Sequence, residues 1–123
     1  MLPAAHRMRR SEDFSLAVRR GRRAGSANLA VHLLLASEPD HAQPARVGIV
    51  VSKAVGTAVT RTGVKRRLRA VASARLDRLP AGALAVLRAT PASANASSAI
   101  LAADLDHALD RVMSFARGNR GRS

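Results

Sequence analysis

The sequence predicts an α+β sandwich, a small sheet with helices packed on it, in the order α-β-β-α-β-α. Three observations carry this. Residues 26–36 and 45–52 place apolar side chains at every second position. Residues 57–79 and the segment from Ser97 or Ser98 onward repeat them at helical spacing. Residues 83–89, "ALAVLRA", form a short and nearly unbroken apolar run. With 123 residues, 47% of them apolar, and no internal repeat, the chain reads as one domain able to bury a core.

The first helix is expected over residues 11–20. Ser11 offers a capping hydroxyl, Glu12 and Asp13 suit the positive end of the dipole, and Gly21 can end the helix. Room remains for a short extra strand near 22–25. In the strand at 26–36, Leu29, Val31, Leu33 and Leu35 share one face, and Ala30, His32 and Leu34 the other. "SEPDHAQP" reads as a surface loop. Val47, Ile49 and Val51 then alternate along 45–52, and these two strands are expected to pair as a hairpin. Gly56 and Thr57 open the next helix, whose apolar row Val64, Leu68, Val71, Ala72, Leu76 and Leu79 stops before Pro80. The run 83–89 suits a central or parallel strand covered on both faces. Leu101, Leu105, Ala108 and Val112 stripe the last helix, with Asp104, Asp106 and Asp110 on a solvated side and Gly118 closing it. The core is expected over about 9–117, with residues 1–8 and 118–123 loose.

Several function classes are excluded by what is missing. Without cysteine there is no disulfide framework and no thiolate metal site. No apolar run approaches the roughly 20 residues of a membrane span, and "RMRRSEDFSLAVRR" lacks a signal peptide's apolar stretch. A soluble, cytoplasmic protein is expected. His6, His32, His41 and His107 form no metal-ligand pattern, and there is no nucleophile elbow, phosphate loop or carboxylate cluster for Mg²⁺. By itself the chain does not read as a catalyst.

Charge points to binding. Lys and Arg number 21 against 8 acids, for a net +13. A polyanion is the natural partner, and nucleic acid fits better than lipid because no strongly apolar face accompanies the basic one. Five cations, Arg61, Lys65, Arg66, Arg67 and Arg69, fall within nine positions, and no acid lies between Lys53 and Asp77. Like charges on adjacent helical turns repel; docked phosphate reverses that cost and releases counterions. Arg61, Lys65 and Arg69 form an i, i+4, i+8 line beside the apolar arc, with Arg66 farther toward solvent. Gly63 in mid-helix costs about 1 kcal/mol relative to alanine. A second block, Arg7, Arg9, Arg10, Arg19, Arg20, Arg22 and Arg23, flanks the first helix. Phe14 and His32 stay open on pattern alone, either core or stacked on unpaired bases.

"HRMRRSEDFSLAVRRGRR", "RVGIVVSKAVGTAVTRTGVKRRLRA" and "LPAGALAVLRATPAS" together resemble the protein subunit of bacterial ribonuclease P. The likeness spans roughly residues 2–116. Its most specific part is V-G-x-x-V-S-K-x-x-G-x-A-V-x-R-x-x-x-K-R-x-x-R. The family usually reads Arg-Asn-Arg where this chain has Arg61, Thr62 and Gly63, and often has a tyrosine where His32 stands.

The resemblance implies an α-β-β-β-α-β-α two-layer sandwich. Its four-stranded sheet would carry a left-handed βαβ crossover, like domain 2 of ribosomal protein S5. It implies a catalytic RNA with bound Mg²⁺, held mainly by the RNA, that hydrolytically removes the 5′ leader of precursor tRNA. Lys53, Gly56, Arg61, Thr62, Lys65, Arg66, Arg69, Arg9 and Arg10 are then expected to bind RNA. Phe14, Val18 and His32 would line a groove for the single-stranded leader. No protein catalytic residue, protein-held metal, membrane or small-molecule substrate is expected, and the protein is expected to be monomeric outside the holoenzyme. The main rival is a structural RNA-binding protein, such as a ribosomal protein or RNA chaperone. A DNA-binding regulator lacks a helix upstream of 57–79 to complete a helix-turn-helix, and an autonomous nuclease lacks clustered acids.

Overall fold

The computed structural model describes residues 2–37 and 43–121, with side chains through Ser114. Its elements are α1 (Ser11–Arg20), β1 (Arg22–Gly25), β2 (Leu29–Leu34), β3 (Arg46–Val50), α2 (Ala58–Ser73), β4 (Leu84–Ala89) and α3 (Ser98–Gly121). The sheet order is β1-β2-β4-β3. β1–β2 and β2–β4 are antiparallel, and β3–β4 is parallel. β3-α2-β4 is therefore a crossover between neighbouring strands.

The expected β2–β3 hairpin does not form. β4 lies between them, because its apolar run is the one suited to pairing on both edges and covering on both faces. Residues 38–42 of the expected loop lie outside the described residues.

Strand alternation sorts the core into two layers. Leu29, Val31, Leu33, Val47, Ala85 and Leu87 face α2 and α3, meeting Val64, Leu68, Leu101, Leu105 and Val112. On the other face α1 packs over Val86, with Ala17 and Met8 buried there and Phe14, Leu34, Val50 and Leu84 around them.

Four local expectations are corrected. Ser11 is not the cap: the chain stays extended through Arg10, whose side chain makes no capping bond, and Ser11 is already helical. α2 ends at Ser73; a tighter turn over Leu76–Arg78 keeps Leu76 and Leu79 against the core. Gly118 does not end α3, which runs to Gly121. Residues 2–8 are not loose. Leu2 and Met8 are buried, Met8 N–H donates to the Val47 carbonyl at 3.0 Å, and Arg7 forms a parallel bridge to Val47. His6 Nδ1 also lies 2.7 Å from the Ala45 carbonyl oxygen. The apolar spacing of this segment is too irregular to register as an element, yet it straps the outer edge of β3.

Candidate nucleic-acid interface

The basic helix begins where β3 ends. Ser52 and Lys53 are exposed, Val55 is buried beneath the turn, and Gly56 adopts φ 155°. That backbone region is one side chains rarely adopt, so glycine is required for the turn. Thr57 then caps α2, its Oγ1 accepting from Thr60 N–H at 3.3 Å.

Val64, Leu68, Val71 and Ala72 anchor α2, which leaves Thr62, Arg66 and Arg69 exposed and Arg61, Lys65 and Arg67 half-buried. Among the described residues, none of Lys53, Arg61, Lys65, Arg66, Arg67 and Arg69 makes an ion pair.

The acids are spent elsewhere. Arg75 Nε donates to Asp106 Oδ1 at 2.6 Å and its Nη2 to Oδ2 at 3.1 Å, a two-pronged pair. Arg78 bonds both Asp106 and Asp110, and Asp104 accepts from Asn28 at 2.7 Å. These three aspartates thus face solvent as expected and serve as structural partners besides, Asp106 and Asp110 keeping 45% and 70% of their side-chain surface exposed. The Arg75 hydrogen bond, with the Arg75 and Arg78 charges, holds the Asp106 carboxyl below its ordinary pKa. Asp13 pairs with Arg46 at 3.5 Å. Neutralisation is therefore concentrated at the C-terminal end of α2, and residues 53–69 stay an open cationic surface.

Two grooves share Phe14, and one of them takes in Arg66 and Arg69 of the basic helix. The larger, about 650 Å³, lies between the N-terminal strap, β3 and α2; Arg7, Arg66 and Arg69 rim a floor of Leu2, Met8, Val47 and Ile49. The other, about 430 Å³, lies between α1 and the sheet, lined by Phe14, Ser15, Val18, Arg19, Val50, Val86 and Arg88. Val18 is 38% exposed, a large apolar side chain open to solvent.

Phe14 and Val18 line the groove between α1 and the sheet together. Arg66 and Arg69 join Phe14 in the larger groove. Arg61, Thr62, Lys65, Lys53, Gly56, Arg9 and Arg10 line neither.

His32 departs from the expectation. It is 5% exposed, lines neither groove, and neither ring nitrogen has a hydrogen-bond partner. Paired with Arg23 and Val86 across the sheet, it lies on the face that α1 covers. Burial first, then the charges of Arg23 and Arg88, lowers its pKa and keeps the ring neutral. Its ring offers no open face for a base to stack on.

Sequence reasoning missed Arg88 and the strap residues Leu2 and Met8. Arg88 carried a signal, as the one charge in an otherwise apolar strand. The strap's signal emerges only with the fold.

Among the described residues, no three His, Cys, Asp or Glu side chains gather as a metal site. Asp106 and Asp110 are engaged by arginines. These two aspartates therefore do not offer the free carboxylates that Mg²⁺ would take.

An α+β body with an unneutralised basic helix and two shallow grooves defines the class of small basic proteins that can hold a polyanion. The family model described as Ribonuclease P matches residues 2–113. The ribonuclease P protein component of Nocardioides sp. is 57% identical over 112 residues, covering 91% of this chain and 95% of that one. Its Streptomyces griseus counterpart is 53% identical over 118 residues, covering 92% and 96%. The solved Staphylococcus aureus RNase P protein aligns with a TM-score of 0.73 at 25% identity, covering 85% of this chain and 93% of that one. This chain belongs to the ribonuclease P protein family, and its role is that of a subunit in tRNA processing.

Proposed function

We propose that this chain binds the catalytic RNA of ribonuclease P and the single-stranded 5′ leader of precursor tRNA, promoting hydrolytic removal of the leader. The observation that carries the reading is the run of cations from Lys53 to Arg69 left without carboxylate partners among the described residues. In the isolated protein these charges repel; against phosphate each displaces condensed counterions.

Lys53, Arg61, Thr62, Lys65, Arg66 and Arg69 supply contacts to RNA, with Arg9 and Arg10 extending the basic surface past α1. Gly56, without a side chain, admits close backbone approach. Phe14 and Val18 offer an apolar, sequence-tolerant surface to unpaired nucleotides, flanked by Arg19 and Arg88. The RNA is the catalyst and holds the Mg²⁺; no step runs through a metal on this chain. Bringing a cationic body between two polyanions lowers their repulsion and so the Mg²⁺ they demand. The holoenzyme works in the cytoplasm, with one copy of this protein monomeric before assembly.

The test is reconstitution. The protein is added to a ribonuclease P RNA and precursor tRNA across a Mg²⁺ series. Cleavage at low Mg²⁺ is expected to rise steeply. RNA binding with no change in cleavage would favour a purely structural RNA-binding protein instead.

A further inference from the structure

Gly63 has no conformational reason to be glycine. It lies inside α2, its φ is not positive, and glycine disfavours a helix interior relative to alanine. Apart from the helix's own backbone, a Cβ there would meet a single atom within 4 Å, Nη1 of Arg67 at 3.5 Å. Long helical side chains lean toward the N-terminus, onto the residue one turn earlier. At Gly63 that surface is bare, and the Arg67 guanidinium occupies it.

Arg67 Nε is buried with no hydrogen-bond partner, and Arg67 makes no ion pair among the described residues. Among the described residues no carboxylate or hydrogen-bond partner holds its charge there. By the helical repeat, residues 63 and 67 lie on the flank of α2 opposite Arg61, Lys65 and Arg69. Leaning back also carries positive charge toward the positive end of the helix dipole, which is unfavourable without an anion.

We propose that Gly63 and Arg67 act as a pair, the glycine vacating a surface so that the Arg67 guanidinium covers it and contacts an RNA phosphate on the second flank of α2. This rests on the RNA-binding reading above. Arg67 thereby supplies the cation that residue 63 lacks, and the basic helix presents charge on both sides of its exposed ridge.

The experiment measures binding of a ribonuclease P RNA by fluorescence anisotropy across a salt series. Arg67→Ala is expected to weaken binding by about three- to tenfold and to lower the log–log salt slope by about one. Gly63→Leu keeps the net charge and favours the helix, but covers the surface and displaces the guanidinium; it too is expected to weaken binding. Gly63→Arg combined with Arg67→Ala is expected to restore affinity, and Gly63→Ala to preserve it. Arg61→Ala with Lys65→Ala is the control for the underlying reading. If Gly63→Leu and Arg67→Ala bind like the parent while the control weakens, the pairing is overturned and the RNA-binding reading stands. If the control does not weaken either, that reading itself fails.

Discussion

Gly48→Ala tests how the groove is built. On β3, Gly48 lies beneath the Phe14 ring; an added Cβ would come within 2.5 Å of Phe14 Cζ, closer still to Cε1, and 3.1 Å from Met8 Sδ. Ordinary contact needs the half-buried ring to retreat by roughly 1 Å, off its seat on β3 and toward the grooves it lines. Overpacking of this kind costs about 1–3 kcal/mol. The expected loss is about 2 kcal/mol, or a fall in Tm of roughly 6–10 °C for a chain this size. Urea denaturation followed by far-UV circular dichroism measures it. Phe14→Ala in the same background removes the obstacle, so the two substitutions are expected to be less than additive by about 1 kcal/mol. A Gly48→Ala midpoint equal to that of the parent, with strict additivity, would refute the seating of Phe14 on the β3 backbone.

The remaining expectations concern charge. Arg61→Ala with Lys65→Ala should flatten the salt dependence of RNA binding by about two log–log units or less; an unchanged slope would mean that both side chains merely face solvent. Asp106 has a folded pKa below its unfolded value, so its stabilisation is full above about pH 4 and is lost as pH falls through the folded pKa. Asp106→Asn should therefore destabilise at neutral pH, by about 0.5–1 kcal/mol for so exposed a carboxylate, and the gap to the parent should close on acidification. His32 also has a lowered folded pKa, so protonation favours the unfolded chain, and its neutral form supports the fold above about pH 6.5. His32→Leu removes two unpartnered buried nitrogens and should raise the urea midpoint, more at pH 5 than at pH 8; equal gains at both would place the ring in water.

Period and punctuation made much of the fold legible. The apolar stripes marked α1, α2 and α3, and alternation marked β2 and β3. The unbroken run of β4 announced a strand covered on both faces. What pattern could not say was which strand pairs with which: alternation fixes faces, not neighbours, and so the hairpin was the wrong pairing. Nor does it speak to the hand of the crossover, since ordinary crossovers are right-handed. In the candidate interface, the single-signed run from Arg61 to Arg69 was visible because charge is local in sequence. The burial of His32 was not, because a strand position on a face says nothing about whether a helix lies over it. The same blindness hid the partners of Asp106 and Asp110, since Arg75 and Arg78 sit about thirty residues upstream.

The N-terminal strap joins these failures to one physical cause. β3 is an edge strand, and an unpaired edge invites association with other chains. Residues 6–8 cover it through the Arg7–Val47 bridge and the Met8 N–H bond to the Val47 carbonyl. That same pairing brings Leu2 and Met8 to the floor of the larger groove and Arg7 to its rim, facing Arg66 and Arg69. Covering the edge and building the groove wall are thus one set of contacts. The strap's partners Ala45 and Val47 lie about forty residues away, and so a segment that looks unstructured when read alone becomes part of the candidate interface.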